Sequence, residues 1–135
     1  MDVPVVPLDI LERLRAVCRA LPETREEQAW MGVRWRVRTR TFAHVLVIAE
    51  GHPPAYAKAA GTDGPVTVLT FRSPQPELDA LTNAGHPFFR PVWAPDIVGM
   101  IIEDDADWDE IAELATESFC LLAPGKLASQ VARPG

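Results

Sequence analysis

The sequence has few cysteines, no long apolar run and no signal-peptide pattern, and these absences indicate a small globular domain. Its 135 residues include only two cysteines, Cys18 and Cys120, without CxxC spacing, so neither a disulfide framework nor a thiolate metal site is indicated. No apolar run approaches the roughly 18–20 residues that a membrane span needs. The opening residues, MDVPVVPLDI, lack a basic segment followed by a long apolar stretch, which argues against a signal peptide. We therefore expect one cytoplasmic domain over residues 1–135, with no membrane partner and both thiols reduced.

Histidines are also few, and none stands in a spacing typical of a metal or catalytic site. His44, His52 and His86 form no HxH, HExxH or HxxE pattern. Neither cysteine has a histidine nearby in sequence, so a paired thiol nucleophile is not indicated. The segment AAGTDGP has two glycines but neither P-loop nor Rossmann spacing, and we interpret it as a turn. The sequence therefore predicts no enzyme, no cofactor and no metal.

One acidic run, EDDADWDE, imitates the start of a calcium loop. Asp105, Asp107 and Asp109 have the spacing of the first ligands of an EF-hand. The pattern then fails, because Glu110 stands where the turn needs glycine and Thr116 where the closing glutamate belongs. Carboxylates favour the positive end of a helix dipole, so we interpret the run as a helix start, with a capping box from Asp107 to Glu110.

Basic residues are too few for a dedicated nucleic-acid coat. The net charge is −6, and neutralisation of phosphates supplies most non-specific affinity for nucleic acid. The charges are segregated, however. From Met31 to Ala49 all formal charges are arginines, whereas from Val92 to Pro124 they are all acids. A chain polarised in this way can present a local positive field in spite of its total.

The segment GVRWRVRTRTF contains arginines in strict alternation, at Arg34, Arg36, Arg38 and Arg40. A period of two predicts a strand with all four guanidinium groups on one face, and with Trp35 in the core. Guanidinium groups match phosphate geometry, so the row is a candidate site for DNA or another polyanion. Two other interpretations stay open: a solvated face that protects a strand from edge pairing, or a row paired with the protein's own acidic helix.

Tryptophans are numerous for this length, at Trp30, Trp35, Trp93 and Trp108. An exposed tryptophan can stack on bases, whereas a buried one fills volume in the core. Trp30 lies next to the arginine strand and is the best stacking candidate, although burial in the core is the commoner fate of such a residue. Arg72 and Arg90 are candidates for peripheral contacts to the same ligand.

Hydrophobic periodicity predicts the order α-β-β-β-α-β-β-α. The predicted helices are LDILERLRAVCRAL, SPQPELDALTNAG with Ser73 as cap, and DWDEIAELATESFCLLA. The predicted strands are VRWRVR, TFAHVLVIAE, VTVLTFR, the short PFFRPVW and DIVGMIIED, with a tight connection at 39–41 between the first two. The loop 51–65 is long for a compact domain, and a helical turn is expected near 55–60. This order favours an α+β domain of two layers, an antiparallel sheet of about five strands with three helices on one face.

The chain resembles the MmcQ/YjbR family of small bacterial proteins. The resemblance covers about 11–131, and the stretches that carry it are LPETREEQAWMG, VRTRTFAHV, PVTVLTFRS, GHPFFRPVW and DWDEIAELATESFCLLAPGKLA. The resemblance implies a two-layer domain with a curved antiparallel sheet and a DNA-binding role. It implies no catalytic residues.

Two functions follow from these patterns. The first is a small non-enzymatic binding protein that contacts nucleic acid weakly, and in a salt-sensitive way, through the arginine strand. The second is a homodimeric module that binds protein or a small ligand, because the strand HVLVIA is apolar on both faces and helices on one side would cover only one of them.

Overall fold

A computed structural model describes residues 5–131 of the chain. Within that range the order of elements is α1 (Leu8–Arg19), β1 (Thr24–Gln28), β2 (Val33–Val37), β3 (Arg40–Ile48), α2 (Pro54–Ala60), β4 (Val66–Arg72), α3 (Gln75–Ala84), β5 (Phe88–Phe89), β6 (Ile97–Ile102), α4 (Trp108–Leu122) and α5 (Gly125–Ala128). The termini 1–4 and 132–135 of the predicted single domain lie outside the described residues.

The strands form one antiparallel sheet in the order β1-β2-β3-β4-β6-β5. The predicted α+β class with an antiparallel sheet is confirmed, but the predicted number of strands is too low by one. The strand that the prediction missed is β1, the edge strand TREEQ. Its residues do not alternate between apolar and polar, so the sequence gives no strand signal. Ion pairs and hydrogen bonds keep the strand in place, and not burial in an apolar core.

Glu26 shows how a polar strand is held at this edge. Its carboxylate accepts hydrogen bonds from Arg15 at 2.9 Å and from the indole nitrogen of buried Trp35 at 3.1 Å. Hydrogen bonding to Arg15, opposed by burial and reinforced by the charges of Arg15 and Arg19, holds the pKa of Glu26 below its ordinary value. β1 is therefore attached to both α1 and β2 by ionic and hydrogen-bonding contacts.

The two faces of the sheet are covered unequally. One face packs against α1, α3 and α4 and contains the main core, whose largest fully buried members include Trp35, Phe42 and Phe119. The opposite face has a smaller apolar cluster under α2, in which Leu46, Ile48, Val68 and Ile101 are buried with Tyr56. The prediction that helices lie on one face alone is therefore wrong, because the loop 51–65 folds back as α2 and supplies part of a second layer. This also explains the strand HVLVIA, which is apolar on both faces.

Helix ends follow the predicted chemistry at one helix and depart from it at another. Asp107 caps α4, since its carboxylate accepts from the backbone amides of Asp109 at 3.0 Å and Glu110 at 3.2 Å. Ser73 does not cap α3, whose N-cap is Pro74 without a side-chain hydrogen bond. Asp107 of the acidic run therefore has a structural role at a helix start.

Both cysteines lie in helices, as predicted, and neither forms a disulfide. Burial, reinforced by the charge of Glu26, raises the pKa of the Cys18 thiol well above its ordinary value, so this thiol is kept protonated. None of the helices within residues 5–131 is long and apolar enough to cross a bilayer.

Ser118 joins the middle of the sheet to α4. Its hydroxyl donates to the carbonyl oxygen of Phe42 on β3 at 2.6 Å and accepts from the backbone amide of Arg72 on β4 at 2.8 Å. The last directly opposed residues of these strands are Ala43 and Phe71, so the hydroxyl occupies the place of the next ladder bond. At the same point β3 contains a bulge against β2, which lets the Phe42 ring contact Phe119 edge-on at 5.5 Å.

Replacing Ser118 by alanine leaves a buried amide and a buried carbonyl without their shared partner. We expect Ser118→Ala to lower the free energy of unfolding by about 1–3 kcal/mol, the usual cost of such a loss. Urea denaturation followed by circular dichroism measures this change. The exposed serine variant Ser129→Ala is the control, and equal stability of the two variants would contradict the bridging role.

Candidate functional site

The four alternating arginines do not form one row. Val33, Trp35 and Val37 are buried, and Arg34 and Arg36 project from the opposite face of β2, as the alternation predicts. The chain then reverses at Arg38 and Thr39, so Arg40 is directly opposite Val37 on β3. Directly paired residues project to the same face, which places Arg40 on the helix side of the sheet.

The single-face row of four is therefore a wrong prediction, and so is the connection at 39–41. The reversal starts one residue earlier, at Arg38, which has a φ of 56°. Two guanidinium groups hold this turn, since Arg25 donates to the carbonyl of Arg38 at 2.8 Å and Arg36 donates to that of Thr39. Arg38 and Arg40 remain exposed at the end of the hairpin.

Three of the four arginines have acidic partners on β1 or just before it. Glu27 Oε1 lies 3.3 Å from Arg34 Nε and 3.3 Å from Arg36 Nη1, and Glu23 lies 3.5 Å from Arg38. Burial opposes ionisation of Glu27, but the hydrogen bond from Arg36 and the charges of the surrounding arginines outweigh it and lower its pKa. Since Arg25 pairs with Arg36 across the strands, three arginines surround one carboxylate, and this group keeps a net positive charge.

We call the face opposite α1, α3 and α4 the open face. One cross-strand row, in which each residue is directly opposite the next, runs across all six strands of this face: Glu27, Arg34, His44, Thr70, Gly99 and Phe89. The Phe89 ring lies over Gly99, where a Cβ atom would be only 2.2 Å from the ring. The row therefore carries ionic and polar groups at its β1–β4 end and an aromatic cover at the other.

A pocket of about 160 Å³ opens on this face, where β3 and β4 separate. Residues 41–43 and 70–72 form its floor, and Ser118 bridges these two segments from behind. Its walls are provided by Trp30, Arg34, His44, Tyr56 and Arg72, among others. The pocket thus combines two guanidinium groups, an imidazole and two aromatic rings in one place.

His44 is the buried polar residue of this wall. Its Nε2 lies 2.6 Å from the carbonyl oxygen of Met31, which can only accept, so Nε2 carries the proton. Burial, with a smaller contribution from the Arg34 charge, lowers the pKa of His44 against the opposing effect of the Met31 hydrogen bond. The imidazole is therefore neutral and fastens the β1–β2 loop, which carries Trp30, to β3.

Aromatic side chains stand above the pocket. Tyr56 lies centrally, with ring centroids 6.2 Å from Trp30, 6.4 Å from His44 and 4.8 Å from Trp93. Trp30 is 71% exposed and Trp93 44% exposed. Burial of Trp30 in the core is therefore wrong, and its side chain is accessible to a ligand. Trp35, by contrast, is fully buried, as predicted.

The two peripheral arginines have different surroundings. Arg72 borders the pocket and donates to both carboxylate oxygens of Asp96 at 2.9 Å. Arg90 is exposed just after β5. Within residues 5–131, no three His, Cys, Asp or Glu side chains gather into a group that could hold a metal ion.

Some residues of the site were not singled out from the sequence. Thr70 and Glu27 reach the open face only through strand pairing. Ser118 had a signal, because it is a polar residue on the buried stripe of α4 that contains Ile111 and Ala115. Tyr56 lies in the long loop 51–65 of the sequence prediction, and α2 brings it to the pocket wall.

The chain belongs to the YjbR family, since the family model described as YjbR matches residues 19–121, well over half of it. This confirms the resemblance inferred from the sequence motifs. The crystal structure of Deinococcus radiodurans protein DR2400, which has a DUF419 domain, has a similar fold at 16% sequence identity. The likeness covers 92% of this chain and 88% of that chain, with a TM-score of 0.63. No curated protein matches the chain.

The neutral imidazole makes stability depend on pH. In the unfolded chain His44 regains its ordinary pKa of 6.5, so below that value the unfolded state takes up a proton before the native state does. The contribution of this group to stability is therefore complete above pH 6.5 and is lost as the pH falls toward the lower native pKa.

We expect wild type to lose more free energy of unfolding than His44→Gln between about pH 7.5 and pH 5, because glutamine can still donate to Met31 but does not titrate. Urea denaturation of both proteins at the two pH values measures the difference. A stability gap that stays constant with pH would contradict the buried neutral imidazole.

Proposed function

We propose that this protein is a small non-enzymatic binding protein whose open face contacts single-stranded nucleic acid. The observation that carries the proposal is the exposure of Trp30, 71% accessible, beside Arg34 on a face that also bears Arg25 and Arg36. An accessible indole next to guanidinium groups offers a stacking surface and phosphate contacts within one ligand's reach.

The arrangement favours single strands over duplex DNA. Bases can stack on Trp30 only when they are unpaired and splayed from the helix. Arg25, Arg34 and Arg36 surround the carboxylate of Glu27, so they supply a modest net positive charge. Contacts of guanidinium groups with phosphates position a strand without reading its sequence, and the binding is therefore little sequence-selective.

The same contacts determine the expected affinity for nucleic acid. The chain carries a net charge of −6, and Glu27 neutralises part of the arginine cluster, so the affinity is low at physiological salt. Arg38 and Arg40 lie exposed at the hairpin end, and Arg90 lies exposed after β5; they add long-range attraction.

We expect a labelled single-stranded oligonucleotide to lose about twentyfold in affinity between 50 and 200 mM salt, as three phosphate contacts on a single strand require. Trp30→Ala should weaken binding about tenfold, because one base loses its stacking partner. Arg36→Gln should reduce the salt slope by about 0.7. Fluorescence anisotropy measures all three values.

The control is Arg19→Gln, which removes one positive charge from exposed α1 on the other side of the sheet. If this variant and Arg36→Gln bind equally, or if Trp30→Ala binds as wild type does, the open face is not the nucleic-acid surface.

A second candidate function is a homodimeric protein-binding module. The observation that favours it is the exposure of Val92 (88%), Trp93 (44%) and Trp30 (71%), since Trp93 and Trp30 both flank Tyr56 and clustered apolar side chains are typical of interaction surfaces. Light scattering over a range of concentrations distinguishes this candidate, since a protein that stays monomeric at every concentration has no dimer at this face.

A further inference from the structure

We propose that the pocket where β3 and β4 separate binds a small planar anion, a single aromatic ring that bears a carboxylate. This inference goes beyond nucleic-acid binding, because it concerns a free small molecule in the pocket and not a strand across the face. It rests on the volume of the pocket, on its unused hydrogen-bonding groups and on its aromatic wall.

The volume selects the size of the ligand. The pocket holds about 160 Å³, close to the cavity of about 150 Å³ that admits benzene in another protein. Sites for drug-sized ligands have about 300–1,000 Å³, so a nucleotide does not fit inside. One six-membered ring with a short substituent does.

The floor of the pocket is held open by the fold itself. The Ser118 hydroxyl stands between the Phe42 carbonyl and the Arg72 amide, so β3 and β4 do not close at this point. The bridge comes from α4, on the far side of the sheet, and leaves the open face clear for a ligand. The separation is thus built into the native packing and requires no ligand to create it.

The charge of the wall selects an anion. Within residues 5–131, the guanidinium of Arg34 donates no hydrogen bond, and its contact with Glu27 is an ion pair that is out of line for one. Its Nε is buried against Glu27, but the side chain is 36% exposed, so the two terminal nitrogens are available to a carboxylate, which accepts from both in a two-pronged geometry. On the opposite side of the pocket, Arg72 is already engaged by Asp96, so Arg34 is the anion-binding group.

The remaining walls select a flat ring that has few polar groups. Trp30 and Tyr56 face the pocket with their planes tilted by 42°, which suits edge-to-face contact with a third ring. Among the described residues, the Thr70 hydroxyl makes only a long hydrogen bond, 3.5 Å to the carbonyl of His44, so it can turn to a ligand. The neutral imidazole of His44 adds no second positive charge.

Benzoate is the probe that tests this proposal, in a titration followed by ¹⁵N–¹H spectra. We expect saturable shifts of the Trp30 indole signal and of the His44 and Thr70 amides. Benzamide, which has the same shape without the charge, should bind about tenfold more weakly, because a charge-assisted hydrogen bond becomes a neutral one.

The matched variants are Arg34→Gln and Arg36→Gln. Both arginines project from the same face of β2 and pair with Glu27, but only Arg34 lines the pocket. Arg34→Gln should weaken benzoate binding about tenfold, Arg34→Lys less, and Arg36→Gln should leave it within about twofold of wild type. The spectrum of each free variant verifies that it is folded.

Two results would overturn the proposal. One is the absence of saturable shifts at Trp30, His44 and Thr70 up to about 20 mM benzoate. A dissociation constant above that concentration would be too weak for a functional site. The other is an equal effect of the two glutamine variants, which would mean general attraction by a positive face. Neither result overturns nucleic-acid binding, which uses Trp30 and the arginines of the open face but requires no ligand inside the pocket.

Discussion

The open face depends on one hydroxyl group, that of Ser118. An antiparallel pair closes its ladder with direct amide-to-carbonyl bonds, and here the hydroxyl replaces one of them between Arg72 and Phe42. A bulge in β3 at the same position turns Phe42 toward α4. Ser118 thereby bonds the sheet to α4 on one face, and on the open face β3 and β4 are separated. The pocket, its aromatic wall and the arginine beside it all lie around this parting.

The fold was largely predictable from the sequence because most elements have a local signal. The apolar strands, the two long helices and the Asp107 cap follow from periodicity and capping chemistry. The edge strand β1 was not predictable in this way, since the sequence TREEQ is stabilised by partners that only the tertiary structure brings near. The second layer was missed for a similar reason. The few residues of α2 have the sequence pattern of a turn, and only the tertiary structure shows that Tyr56 packs against the sheet.

The site was less predictable than the fold, because it is assembled across strands. The alternation placed Arg34 and Arg36 correctly, but it runs unbroken through the turn at Arg38, where no glycine or asparagine marks the reversal. The register between paired strands then decides which side chains come into contact. That register depends on both strands and cannot be inferred from the sequence of one segment alone. The family relationship supports the architecture but carries no assignment of side chains.

Amide hydrogen exchange at Arg72 tests the central claim most directly, namely that Ser118 holds the two strands apart. In Ser118→Ala the amide loses its only described acceptor, so its protection should fall relative to that of Val68, farther along the same strand. If the protection of Arg72 follows that of Val68 in both proteins, the amide is bonded directly to β3. The strands would then be closed, and the account of the open face would be wrong.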